Sequence, residues 1–129
     1  MKIALLAPGS SIHTARLANA LIERNIEVHL ITQHDLLKNE FSRKTIVHQL
    51  KIKGRKGYFF NIVQLKYLLK KISPTILHSH YASGYGTLAS LSGFHPLIQS
   101  IWGSDIYEFP KKSWQNKLLI TWVLNQADL

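Results

Sequence analysis

Short apolar runs of strand length alternate with segments of helical period along this chain, and that alternation restricts the fold more than any other feature. Residues 2–7 carry a continuous apolar run, as expected of a strand covered on both faces. After the turn at residues 8–13, Leu17, Ala18, Leu21 and Ile22 recur at helical spacing over residues 14–24. A second strand is predicted at 26–32. Residues 45–53 alternate, with Ile46, His48, Leu50 and Ile52 on one face and Lys51 and Lys53 on the other, which predicts a half-exposed strand near a sheet edge. A helix over 59–72 turns Ile62, Leu65, Leu69 and Ile72 inward and Lys66 and Lys70 outward, and Ser73-Pro74 stops it. Strands at 75–80 and 96–102 and helices at 83–92 and 113–126 complete the reading.

Strands alternating with helices imply right-handed crossovers and an open, mostly parallel α/β sheet with helices on both faces. A chain of 129 residues is one such domain, with a single core. Ligands of these sheets bind outside the carboxyl ends of the strands. Three glycine-bearing polar loops are predicted there: Pro8-Gly9-Ser10-Ser11-Ile12-His13-Thr14, then His80 to Gly86, then Trp102-Gly103-Ser104-Asp105.

Composition excludes several classes. No apolar stretch approaches the roughly 18–20 residues that span a bilayer. The amino-terminal apolar run, cut by Pro8, is shorter than the ~7–15 residues of a signal-peptide core. The chain has no cysteine, which excludes disulfides, thiolate metal sites and thiol catalysis and fits a reducing cytoplasm. The formal charge of +9 is concentrated in one segment. From Lys38 to Lys71 the basic residues are Lys38, Arg43, Lys44, Lys51, Lys53, Arg55, Lys56, Lys66, Lys70 and Lys71, opposed only by Glu40. Such an excess predicts one cationic surface rather than a uniformly basic protein.

Each loop admits two readings. The first has neither G-x-G-x-x-G nor the lysine of a P-loop. Its serines and the free N–H groups of a helix start can hold an anion, or Ser11 or Thr14 can simply cap the helix. In the second loop His78 and His80 share a side of their strand, but no third ligand at a telling spacing supports a metal, and packed, hydrogen-bonded histidines are the commoner outcome. The small and hydroxylated residues after His80 suit a polar ligand: glycine lets it approach the backbone, and tyrosine can stack on a sugar ring. In the third loop Asp105 could cap a turn or hold a substrate hydroxyl, and Trp102 could belong to the core.

Together, "SIHTARLANALIERNIEVHLIT", "ILHSHYASGYGTLASLSGFHPLIQSIWGSDIYEFP" and the closing "LNQADL" resemble the amino-terminal domain of bacterial retaining glycosyltransferases of family 4, which have the GT-B fold. The resemblance covers the chain outside residues 33–71. It implies a Rossmann-like, acceptor-side domain that faces a carboxyl-terminal, donor-binding domain across a cleft. On this reading residues 1–129 are a truncated enzyme without its donor-binding half, and alone do not turn over donor. The implied reaction transfers a sugar from a nucleotide-diphosphate donor to a glycan or lipid-linked acceptor with retention, without a metal or other cofactor, in polysaccharide biosynthesis.

The resemblance assigns His80, Asp105 and His13 to catalysis, Gly9, Ser10 and Ser11 to the donor, and Tyr81, Tyr85, Trp102 and Gly103 to the acceptor. Two departures stand out. Gly9-Ser10-Ser11 replaces the family's glycine pair, and Trp102 stands where many relatives have a histidine before the glycine. A lipid-linked acceptor would place the protein at the cytoplasmic face of a membrane, with Lys51, Lys53, Arg55, Lys56, Lys66 and Lys70 toward anionic headgroups. Two alternatives are a nucleic-acid-binding domain, suggested by Arg55 and Lys56 beside Tyr58, Phe59 and Phe60, and a small nucleotide-binding module without catalysis. Against nucleic acid, Phe59 and Phe60 are expected to enter a core-seeking helix.

Overall fold

The computed structural model describes residues 1–129. Strands β1 (Lys2–Leu6), β2 (Glu27–Thr32), β3 (Ile46–Gln49), β4 (Ile76–His80) and β5 (Leu97–Ser100) form one sheet in the order β3-β2-β1-β4-β5. Every pairing is parallel. The helices are α1 (Ile12–Glu23), α2 (Gly57–Phe60), α3 (Ile62–Ile72), α4 (Tyr85–Ser92), α5 (Ser104–Tyr107) and α6 (Trp114–Gln126), with a 3-10 turn at Phe109–Lys112. The fold is the α/β, Rossmann-like architecture that the alternation predicts.

The strand order reverses at β1. Moving from β1 to β2 the chain crosses over one face through α1; moving from β3 to β4 and on to β5 it crosses the other through α3 and α4. Side-chain alternation therefore builds two cores. Leu5, Ala7, Val28 and Leu30 pack with Ala18 of α1. Ala4, Leu6, Ile31, Leu77 and Leu97 pack with Leu65, Leu69 and Ile72 of α3 and Leu88 and Ala89 of α4. Each leucine fully removed from water contributes roughly 1.5–3 kcal/mol. Helix α6 joins the second layer: Ile120 and Val123 pack on Ala82, and Gln99 Nε2 reaches the Val123 carbonyl at 3.4 Å. Beyond β5 the chain turns back along its open edge, where the Asp128 N–H donates to the Leu97 carbonyl at 2.8 Å and the Gln99 N–H to that of Leu129 at 3.0 Å.

Local chemistry sets the ends. Ser11 caps α1 by accepting the His13 N–H at 3.2 Å. Helix α3 ends at Ser73 in the left-handed region, with φ 49°, immediately before Pro74.

Two segments differ from expectation. The alternating run 45–53 is the exposed edge strand that was expected, but it forms a strand only over Ile46–Gln49, and Ile46 and Ile52 are exposed. The strand is an edge, and only Leu50 finds a core. The helix expected over 59–72 breaks at Asn61, whose side chain donates to the Ile52 carbonyl at 2.7 Å and accepts the Ile52 N–H at 3.1 Å. That clasp fixes the chain after β3 against α2 and turns Phe59 and Phe60 outward, 49% and 65% exposed, so they do not enter the core.

Candidate functional site

The carboxyl ends of β1, β2 and β4 open into a cleft of 720 Å³ at the point where strand order reverses. Its floor is the loop after β1, with Pro8, Ser10 and Ser11, and the loop after β4, with Tyr81, Ser83 and Gly84. One wall is Arg55, Tyr58 and Phe59 at α2; the other is Phe109, Lys112, Asn116 and Leu119 at the 3-10 turn and α6. His34 and Tyr85 close the end toward β2.

Beneath this end a closed hydrogen-bond network holds the floor. Thr32 Oγ1 accepts the N–H groups of Gly9 at 2.9 Å and His34 at 3.1 Å. The Tyr85 hydroxyl accepts the Gln33 N–H at 3.0 Å, meets Thr32 Oγ1 at 3.2 Å and bonds the Nδ1 of His34. One proton assignment satisfies every atom: Thr32 donates to Tyr85, and Tyr85 donates to a neutral His34. Burial pushes the Tyr85 phenol up to about 12, and desolvation by burial lowers the pKa of His34, the direction this assignment needs.

The two glycines of the G-Y-G run have different neighbours. A Cβ at Gly84 would meet the Tyr58 ring at 2.9 Å, and one at Gly86 would meet the Gln99 amide oxygen at 2.3 Å. Both glycines are small so that something else can sit close.

Behind Tyr81 lies an aromatic cluster centred on Trp102. Its ring lies 4.9 Å from His13, 5.6 Å from His80 and 5.9 Å from Tyr81, centroid to centroid. His80 is 2% exposed, and neither ring nitrogen has a partner. Desolvation by burial, with His78 and His13 adding to it, lowers its pKa to about 4, so it is neutral. His78 Nε2 instead meets Ser100 Oγ at 2.8 Å. No group of three or more His, Asp or Glu residues is placed to hold a metal ion.

Residues 2–129 match the sequence profile of a family described as glycosyl transferase 4-like. The chain belongs to that family. Nothing among the curated proteins matches it. Solved structures that it resembles include UDP-GlcNAc 2-epimerase from Neisseria meningitidis bound to UDP-GlcNAc, at 19% identity and a TM-score of 0.68, over 98% of this chain and 39% of that one. Sucrose-phosphate synthase from Thermosynechococcus elongatus is similar at 14% identity and a TM-score of 0.67, over 99% of this chain and 41% of that one. At such identities the likeness is one of fold. The chain spans about two fifths of the length of these neighbours.

In this glycosyl transferase 4-like domain the expected site residues fall into three groups. Ser10, Ser11, Tyr81, Tyr85 and Arg55 line the cleft, although Tyr85 is buried and braces the floor. His13, His80 and Trp102 form the adjoining cluster and do not reach the cleft wall, so His80 does not point into it; exposed Gly103 follows Trp102. Gly9 and Asp105 stand behind the loops. Gly9 gives its N–H to Thr32 and packs so closely on the loop after β2 that a Cβ would meet Leu36 at 2.7 Å. Asp105, 2% exposed, accepts the N–H groups of Ala82 at 3.1 Å and Trp102 at 3.3 Å and the Ser83 hydroxyl at 2.9 Å.

The cationic residues do not share one element. Lys51, Lys53, Arg55 and Lys56 follow β3, with Lys53 3.1 Å from Asp35, while Lys66 and Lys70 lie outward on α3. His34, Tyr58, Lys112 and Asn116 belong to the cleft without having been expected there. No motif marks them: His34 is held just after β2 by Thr32 and Tyr85, Tyr58 comes in beside the clasp at Asn61, and Lys112 and Asn116 come in with the turn before α6.

Proposed function

We propose that this domain is the acceptor-side half of a retaining glycosyltransferase, which takes a sugar from a nucleotide-diphosphate donor and adds it to a glycan or lipid-linked acceptor in polysaccharide biosynthesis. The observation that carries the reading is the cleft itself. Its floor is small and hydroxylated, its walls bring an aromatic ring and a cation from each side, and it opens where the sheet reverses order. Tyr58, Tyr81 and Phe109 offer faces to pyranose rings, while Ser10, Ser83 and Asn116 offer hydrogen bonds to hydroxyls. Arg55 and Lys112 supply positive charge for a diphosphate. Family membership supports sugar transfer, and the Neisseria meningitidis neighbour holds UDP-GlcNAc.

In the transfer, the bond from the anomeric carbon to the diphosphate breaks. A bond to the acceptor oxygen forms on the same face, and the acceptor proton leaves with a base. Ser10, Ser11 and the first turn of α1 would face the diphosphate. His13 is the exposed imidazole of the Trp102 cluster, and neutral His80 packs on Trp102 from behind.

The test is an NMR titration of the labelled protein with UDP-, GDP- and ADP-sugars and with oligosaccharides. The reading expects shifts at Ser10, Ser83, Tyr81 and Asn116, reduced in Arg55→Gln. Shifts confined to other faces, or none with any ligand, would sink it. For the whole enzyme, the anomeric configuration of the product decides retention.

A further inference from the structure

Four buried polar atoms near the cleft have no partner: Nδ1 and Nε2 of His80, Nε1 of Trp102 and Oγ1 of Thr14. His80 ends β4, Trp102 follows β5, and Thr14 stands in the first turn of α1, next to His13. The Trp102 ring lies against both His80 and His13, which draws these residues into one cluster. Thr14 is fully buried and His80 is 2% exposed. Buried polar groups in a folded protein are hydrogen-bonded, and an orphaned one is costly. Several at one place, beside a cleft, point to a ligand.

The donor set names its chemistry. A neutral imidazole offers one donor and one acceptor, an indole one donor, and a hydroxyl both. His80 is held neutral by its burial. Such a set suits neighbouring hydroxyls, each of which gives and takes a hydrogen bond, and it suits an anion poorly. What closes the place is the indole. The Trp102 backbone is fixed, since its N–H goes to Asp105 and its carbonyl accepts the Ser104 hydroxyl at 3.1 Å. Its side chain is held only by the rings of His13, His80 and Tyr81, without a hydrogen bond. The next residue is exposed Gly103, where an added Cβ would meet nothing within 4 Å, so there is open space beside the indole.

We propose that Trp102 is a gate over a second sugar subsite: when the indole turns out, His80 and Thr14 bind adjacent hydroxyls of a pyranose ring. Tyr81 lines the cleft and also packs on Trp102, so the subsite continues the cleft past its floor. That this ring belongs to the acceptor rests on the glycosyltransferase reading; the gate and the site behind it do not.

The experiment is an NMR titration of the nitrogen-labelled protein with glucose, galactose, mannose and N-acetylglucosamine, with inorganic phosphate as the anionic control. The signals read are the Trp102 indole N–H and the His80 ring nitrogens. The proposal expects at least one sugar to shift both together, and phosphate to shift neither. With the open form populated at about 10%, Trp102→Ala removes the cover and should bind that sugar about tenfold more tightly. Thr14→Val keeps the shape and deletes the hydroxyl; it should weaken the sugar about five- to tenfold while its melting temperature does not fall. No shift of the two signals with any sugar, a shift with phosphate alone, or unchanged affinity in Trp102→Ala overturns the proposal. So does a His80 nitrogen already bonded to the Trp102 indole in the free protein. If Trp102→Ala does not fold, the parent titration and Thr14→Val decide, and unchanged affinity in Thr14→Val overturns it. If sugars shift Ser10, Ser83 and Asn116 but neither Trp102 nor His80, the subsite falls alone. If they shift only Trp102 and His80, the subsite stands and its link to an acceptor falls with the glycosyltransferase reading.

Discussion

Asp105 lies in α5 after β5 and Ala82 in the loop after β4, and the carboxylate of the first receives the backbone N–H of the second at 3.1 Å. With Ser83 and Trp102 as its other donors, Asp105 ties the floor of the cleft to the aromatic cluster. It also holds Ala82 next to Tyr81, whose φ of 67° lies in the left-handed region. Asp105→Ala leaves these donors unmet, at about 1–3 kcal/mol for each that stays buried. We expect a loss of about 3 kcal/mol in urea denaturation, and less in Asp105→Asn. An unchanged midpoint in the alanine variant would remove the bracing role and leave a catalytic one as the reason for this carboxylate.

His80 gives the protein a dependence on acid. The unfolded chain takes up a proton at this ring near pH 6.5, and the folded protein refuses it until about 4. Stability from a neutral His80 is therefore full above about 6.5 and falls as the pH drops toward 4. At about 1.4 kcal/mol per pKa unit, the loss approaches 3 kcal/mol. Buried His78 shifts in the same direction, so the decisive comparison is with His80→Phe. Stability plotted against pH should run parallel for the two proteins above about pH 6.5, and between there and about pH 4 the parent should lose stability relative to the variant. Parallel curves throughout would show that folding does not lower the pKa of His80.

Tyr85→Phe deletes the hydroxyl that accepts the Gln33 N–H and holds His34. A buried N–H without an acceptor costs about 1–3 kcal/mol. The variant should lose stability in that range, and the imidazole signals of His34 should titrate at a higher pH. In the parent, the phenol of Tyr85, pushed up to about 12, should add no phenolate absorbance below about pH 11.

Gly57 is buried, and a Cβ there would meet the side-chain oxygen of Gln33 at 2.1 Å and the Ile52 carbonyl at 2.3 Å. The second contact is backbone and cannot swing away. Gly57→Ala should cost about 1–3 kcal/mol. Because the clasp at Asn61 is adjacent, amide exchange in residues 52–61 should quicken before the sheet responds. Slow exchange there, with a normal melting temperature, would mean that the segment relaxes without strain.

The sheet could be read from the sequence because its strands are buried on both faces, and burial leaves unbroken apolar runs such as the one ending at Ala7. At the edge strand, alternation marked the strand and its exposure but not its length. In Ile46 to Ile52 the apolar residues alternate correctly for a strand, yet this edge has no second layer to cover them. The loop motifs from His80 to Gly86 and from Trp102 to Asp105 were legible as neighbours of a site, because the strands that carry them end together. Their division of labour was not. Whether His80 faces a cleft or the back of Trp102, and whether Asp105 meets a ligand or three backbone and side-chain donors, depends on loop conformation, which no spacing encodes. His34, Tyr58 and Lys112 arrive from segments with no motif, by tertiary contact alone.

The two glycines around Tyr85 work as a caliper. The missing side chain at position 84 is the space into which Tyr58 presses, and Tyr58 belongs to one jaw of the cleft. The missing side chain at position 86 is the space taken by Gln99, whose amide reaches on to Val123 in the helix that carries the other jaw. A single methyl added at 84 would thrust the first jaw outward, and one added at 86 would displace the second. The gap between them is thus calibrated from within by two absent carbon atoms, so an alteration in the size of the guest this cleft admits would begin at these two positions rather than on its walls.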